Sequence, residues 1–128
     1  MAHILLIESD RMLAANIGAA LTRAGHNVVH TADAQAAITA ADAHAPDIII
    51  LDLMLAGRSG IEFLYELRSY SDWCDIPVLV YSNIHATDLP EGCLEELGVA
   101  GVFYKPTTRP NDLVAAAANL QSLATSQQ

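Results

Sequence analysis

Apolar positions along this chain fall into short solid runs, separated by stretches in which they recur every three or four residues. His3 to Ile7 is a solid run and predicts a buried strand. Leu13, Ile17, Ala20, Leu21 and Ala24 then repeat at helical spacing, and Gly25 sits where such a helix stops. "NVVHT" predicts a second strand. Asp33 is placed to cap an alanine-rich helix running to about His44, which "APD" ends. Ile48 to Leu53 is a third strand and shows no alternation, so both of its faces should be covered. Ser59 and Glu62 have capping-box spacing ahead of Ile61, Leu64, Tyr65 and Leu67. "IPVLVYS" reads as a fourth strand, "LPEGCLEELG" as a short helix weakened by Gly92, and "GVFYK" as a fifth strand. A last helix runs from Asn111 to about Leu123. Residues 1–123 are thus assigned to one domain, and 124–128 to a frayed tail.

Strands alternating with helices predict an α/β fold: a five-stranded parallel sheet flanked by five helices. In open sheets of this kind, ligands bind outside the carboxyl ends of the strands. Glu8, Asp52, Ser82 and Lys105 each fall at or near such an end, on four different strands, and should converge on one rim. Asp52 poses the sharpest question. It is the one polar residue of "IIILDLML", and an unpaired carboxylate in such surroundings costs several kcal/mol or takes up a proton. Company of the right charge resolves the conflict. Two carboxylates, a hydroxyl and an ammonium suit phosphoryl transfer, which needs positioning and charge cancellation more than covalent help. An aspartate can be the nucleophile. Mg²⁺, held by one or two carboxylates with phosphate oxygens and water, is the natural counter-ion.

Composition narrows the partners. The 128 residues are 52% apolar, enough to bury a core, with a formal charge of −9 that argues against direct nucleic-acid binding. No apolar run approaches the ~20 residues of a membrane span, and the start lacks a signal-peptide pattern, so a cytoplasmic protein is expected. Met1 reads as a genuine start. Cys74 and Cys93 form no CxxC pair. His3, His26, His30, His44 and His85 lack metal-site spacing, and Trp73 is assigned to packing. A glycine-rich phosphate loop after the first strand and a GxSxG elbow are both missing, which weighs against a flavin or nucleotide carrier and a hydrolase.

"ILLIESD", "PDIIILDLMLAGRSGIEFLYELR", "IPVLVYS" and "FYKP", in that order, resemble the receiver domains of two-component response regulators. The resemblance covers nearly the whole chain. It implies a flavodoxin-like fold with strand order 2-1-3-4-5. It makes Asp52 the phosphoacceptor, Lys105 the phosphate partner and Ser82 the switch hydroxyl. Glu8, Asp52 and the Met54 carbonyl would hold Mg²⁺, and Lys105–Pro106 would be a cis peptide. The implied role is a phosphorylation-controlled signalling switch, regulatory rather than enzymatic. Its partners would be a sensor histidine kinase or phosphotransfer protein and a downstream protein target. A homodimer through "LVAAAANL" stays open.

Three departures qualify that picture. Ser9 stands where most of the family has a second acid, which predicts weakly bound Mg²⁺ and slowed phosphorylation; Asp10 is read as the cap of the first helix rather than a replacement ligand. Val102 occupies the place of the family's relay aromatic, which excludes a ring switch there; movement of the short fourth helix is the expected substitute, ahead of Tyr104 on the same strand face. Met54 and Ile84 are apolar where water would approach the phosphoryl group, which predicts a long-lived phosphorylated form. Ser9 and Val102 also support the alternative reading, a degenerate receiver acting as a phosphorylation-independent binding module.

Overall fold

The computed structural model describes residues 1–55 and 57–126. The five strands of the main sheet are β1 (His3–Ile7), β2 (Asn27–Thr31), β3 (Ile48–Leu51), β4 (Val78–Ser82) and β5 (Val99–Tyr104). They lie in the order β2-β1-β3-β4-β5, every neighbouring pair parallel. The helices are α1 (Arg11–Arg23), α2 (Ala34–Ala43), α3 (Gly60–Ser69), α4 (Cys93–Glu96) and α5 (Pro110–Ser126). The expected doubly covered α/β sheet is therefore present.

Local chemistry explains most boundaries. Asp10 accepts the N–H groups of Met12 and Leu13, so it caps α1 as expected. Asp33 and Ser59 cap α2 and α3 in the same manner. Gly25, at φ 98°, takes the chain out of α1 through a conformation that suits glycine. Gly92 was expected to weaken a helix from within. Instead it precedes α4 at φ 80° and turns the chain into it, leaving only four helical residues. The Lys105–Pro106 bond corrects another expectation, because the described residues contain no cis peptide. The chain there enters one 3-10 turn, Lys105–Thr107, with Pro106 in its first positions. Proline's fixed φ and missing N–H fit that place in the trans form. Helix α5 runs on through Ser126, beyond the expected end near Leu123; Gln127 and Gln128 of the expected tail lie outside the described residues.

The sheet separates two apolar layers. Leu5, Ile7, Ile49, Leu51 and Val80 pack with Phe63, Leu64, Leu67 and the small faces of α2. Ile4, Leu6, Ile48, Ile50 and Leu79 pack with Ile17, Leu21, Leu113 and Ala117 of α1 and α5. All four β3 residues are buried, which is why that strand reads as a solid run. Trp73 joins the first layer, as expected of a packing residue. No described helix is long and apolar enough to cross a membrane.

Candidate functional site

Register delivers the polar residues to one rim. Ile7 pairs with Thr31 on one side and Leu51 on the other, so Glu8 and Asp52 emerge side by side from β1 and β3. Lys105 follows Tyr104, the last residue of β5, which pairs with Ser82. The Lys105 Nζ stands 2.9 Å from Asp52 Oδ2 and 2.5 Å from Glu8 Oε1. Both acids are buried, Glu8 to 1% exposure and Asp52 to 4%. The company that Asp52 requires is thus an ammonium shared with a second carboxylate.

Backbone groups complete the cradle. Asp52 Oδ1 accepts the N–H of Met54 at 2.9 Å, and Glu8 Oε2 accepts that of Asp10 at 3.0 Å. His30 Nε2 donates to the Glu8 carbonyl at 2.7 Å, fixing the loop from outside. The Tyr81 ring lies under Lys105, its centroid 5.4 Å from Nζ, at a range where cation and ring attract. Gly60 closes the floor. A Cβ there would come within 2.5 Å of Leu53 Cα and 2.6 Å of the Asp52 carbonyl oxygen, so α3 can start this close to Asp52 only from glycine.

Burial and charge compete here. Burial pushes the Glu8 carboxyl above its ordinary value, despite the opposing pull of Lys105. Burial alone would lower Lys105, but Glu8 and Asp52 outweigh it and raise the ammonium above its usual value. Glu8 Oε1 touches Lys105 without the alignment of a hydrogen bond, leaving that buried oxygen with no directed donor. Such an atom, beside a second carboxylate, offers the hard oxygens that Mg²⁺ takes. Among the described residues no group of three or more His, Cys, Asp or Glu side chains could hold a metal. Water and phosphate oxygens would complete the shell.

Of the predicted site residues, the structure brings Glu8, Asp52 and Lys105 together and places the Met54 backbone against Asp52. Ser82 behaves differently. Its hydroxyl is fully buried and accepts the Ile84 N–H at 3.3 Å, with no described hydrogen bond to Asp52 or Lys105. The Met54 side chain stands 57% exposed at the rim, and Ile84 is half-buried. Val102 carries no ring, and Tyr104 instead meets His85 edge-on, centroids 5.2 Å apart. Sequence reasoning passed over Gly60, His30 and Tyr81. Gly60 had a signal, as the helix-initiating glycine of "RSGIEF"; the other two required the tertiary register.

The chain matches the model of the response regulator receiver domain over residues 4–118. It belongs to that family. The receiver is 31% identical over 120 residues to the probable transcriptional regulatory protein TcrX of Mycobacterium tuberculosis, covering 94% of this chain and 48% of TcrX. It is 34% identical to the phosphate regulon regulator PhoB of Escherichia coli, covering 88% of this chain and 48% of PhoB. The receiver therefore spans about half the length of these curated relatives. Among solved structures, the chemotaxis protein CheY4 of Vibrio cholerae superposes with a TM-score of 0.84 at 23% identity, over 94% of this chain and 98% of CheY4. NtrX of Brucella abortus superposes at 0.85 with 21% identity, over 98% of the receiver and 28% of NtrX. Receivers are regulatory modules of two-component systems, and phosphorylation-controlled switching is general in the family.

Proposed function

We propose that this receiver accepts a phosphoryl group on Asp52 and uses it to alter a protein-binding surface. The observation that carries the reading is the single ammonium of Lys105 bridging the buried carboxylates of Glu8 and Asp52. A phosphohistidine on a sensor kinase or phosphotransfer protein is the proposed donor. An Asp52 carboxylate oxygen forms the new O–P bond as the N–P bond breaks, and the donor imidazole keeps the electron pair and takes a proton. Lys105 then pairs with phosphoryl oxygens, where fixed charge is worth more than in water. Glu8, Asp52 and the Met54 carbonyl would hold Mg²⁺, which supplies further cancellation of negative charge. Ser82 would leave Ile84 to donate to the phosphoryl group, and that exchange frees the β4–α4 loop. A downstream protein reads the result.

Intact mass after treatment with acetyl phosphate and Mg²⁺ tests this. The receiver should gain one phosphoryl group and Asp52→Ala none. The near-complete closure of Glu8 and Asp52 under Lys105 favours one rival, a receiver-shaped binding module that no longer takes phosphate. An unchanged mass, with partner binding indifferent to Asp52→Ala, would establish that rival.

A further inference from the structure

Three histidines gather at the amino pole of the sheet, the end opposite Asp52. His3 opens β1, His26 immediately precedes β2, and His44 is the residue at which α2 ends. The His3 and His44 rings stack, centroids 3.9 Å apart and planes 11° from parallel. The Ala2 N–H donates to His26 Nδ1 at 3.1 Å, and the Asn27 carboxamide nitrogen donates to His3 Nδ1 at 3.2 Å. An imidazole nitrogen accepts only while it carries no proton, so both contacts require neutral rings. His3 and His26 are both buried. Ala2, itself buried, and Asp47 also line a cleft with Ile48, Pro77 and Leu120, so the cluster adjoins α5.

We propose that His3, His26 and His44 form an acid-released latch, which frees the first residues of the chain and the α2–β3 connection as pH falls. A proton on His26 Nδ1 removes the acceptor of the Ala2 N–H and places a charge near the amino terminus. A proton on His3 Nδ1 meets the Asn27 donor, and once His44 is also charged the stack sets two cations face to face. Asp47 and the His44 carbonyl face His3 and oppose release; the Asp47 carboxylate also accepts the His3 backbone N–H at 2.8 Å. The other groups packed here carry no charge: the Leu21 carbonyl, which accepts the His26 backbone N–H, Pro77 and the Leu120 side of α5. Burial first, and positive neighbours second, hold His3 and His26 below the ordinary 6.5. Opening therefore takes up protons, and acid drives it. Release loosens the wall of the cleft against α5. Asp52 lies at the other pole, so the latch works whether or not it takes phosphate.

Amide hydrogen exchange of the isotope-labelled receiver at pH 7.5 and 5.5, corrected for the intrinsic effect of pH on exchange, tests the latch. The reporters are the amides of Ala2, His3, Asn27 and Asp47, all hydrogen-bonded within it. Their opening should rise about tenfold for each histidine that gains a proton on release, about a hundredfold for His3 and His26 together, while Ile50 and Val80 change far less. H26Q, which keeps an acceptor that takes no proton, should cut the response to about tenfold. H26Q/H44F, which also replaces the second imidazole with a ring that stays neutral, should fall below that. An equal rise at Ile50 and Val80 would overturn a local latch in favour of opening of the whole fold. Reporter amides that ignore pH, or that respond in H26Q/H44F as in the parent, would overturn it too. Ring titrations of the parent need no variant: His3 and His26 should both titrate below 6.5, and either one titrating at or above that value sinks the proposal.

Discussion

Gly60 shows how much a single residue sets at this site. Its missing Cβ lets the first turn of α3 rest against the Asp52–Leu53 backbone, with a hydrogen bond from Gly60 N–H to the Leu53 carbonyl at 2.9 Å. In Gly60→Ala the added methyl meets backbone rather than a flexible side chain, so either helix or strand end must shift. The expected cost is ~2 kcal/mol, in the range of an overpacked core, measured by urea denaturation. Because the shift falls on Asp52, labelling by acetyl phosphate should also slow. A variant of parent stability that labels at the parent rate would show that the contact is not restrictive. Asp52 and Lys105 were legible as chemistry in the sequence, since a carboxylate in an apolar run demands a counter-charge. That Lys105 would divide itself between Asp52 and Glu8 was not, because the sharing depends on side-chain rotamers around the rim.

Among the elements, the segment from Ser82 to α4 departs furthest from expectation. The chain here is a 3-10 turn, Ala86–Asp88, and a four-residue helix, too short to be stable without tertiary support. His85 provides some of that support. Its Nδ1 lies 2.8 Å from the Thr87 hydroxyl, while its ring meets Tyr104 at the end of β5. Tyr104 is joined to Lys105, and His85 is three residues from Ser82, so the ring pair ties together the two elements that reach the site. Val102 cannot make such a tie. An edge-on aromatic pair is worth roughly 0.5–1.5 kcal/mol, and its loss in His85→Ala should speed exchange of the Ile84 amide hydrogen about three- to tenfold. His85→Phe, which keeps a ring, should restore most of the protection. Unchanged exchange in His85→Ala would mean the loop is held by other contacts. The strands were easier to read than this segment, because each has a run of β-branched or apolar residues, buried on both faces in β1, β3 and β4. Where local propensity is weak, as from Asn83 to Gly92, neighbouring elements decide.

At the scale of the molecule, a buried carboxylate and two buried histidines at opposite ends of the sheet set the pH response against each other. Glu8, raised by burial, takes its proton in the native state before the unfolded chain does, so its contribution to stability is full below pH 4.5 and is lost as pH rises above it. His3 and His26, at the amino ends of β1 and β2, are lowered by burial first and then by nearby positive charge: His44 acts on His3 and the amino terminus on His26. Their contribution is present above pH 6.5 and is lost as pH falls below it. Glu8→Gln removes that buried charge while Asp52 still pairs Lys105, so it should gain stability at pH 7 relative to the parent. That gain should shrink toward pH 4.5, so the variant loses stability on acidification more steeply than the parent. Denaturant titrations at several pH values check this, and a gain that grows as pH falls would contradict it.

Fold class and the choice of Asp52, Glu8 and Lys105 as candidates could be read from the residues, because two-sided burial leaves solid apolar runs and a charge at the end of one is conspicuous; strand order followed from the resemblance to receivers. Capping by Asp10, Asp33 and Ser59 was legible for a similar reason: a helix's free N–H groups need an oxygen within three residues. The trans Lys105–Pro106 bond, the inward turn of Ser82, the His85–Tyr104 pair and the stacking of His3 on His44 were decided only in three dimensions. Each depends on contacts between segments far apart in the chain or on one rotamer among several. Periodicity records which face of an element is buried, and it carries no information about which polar tips on separate elements will touch.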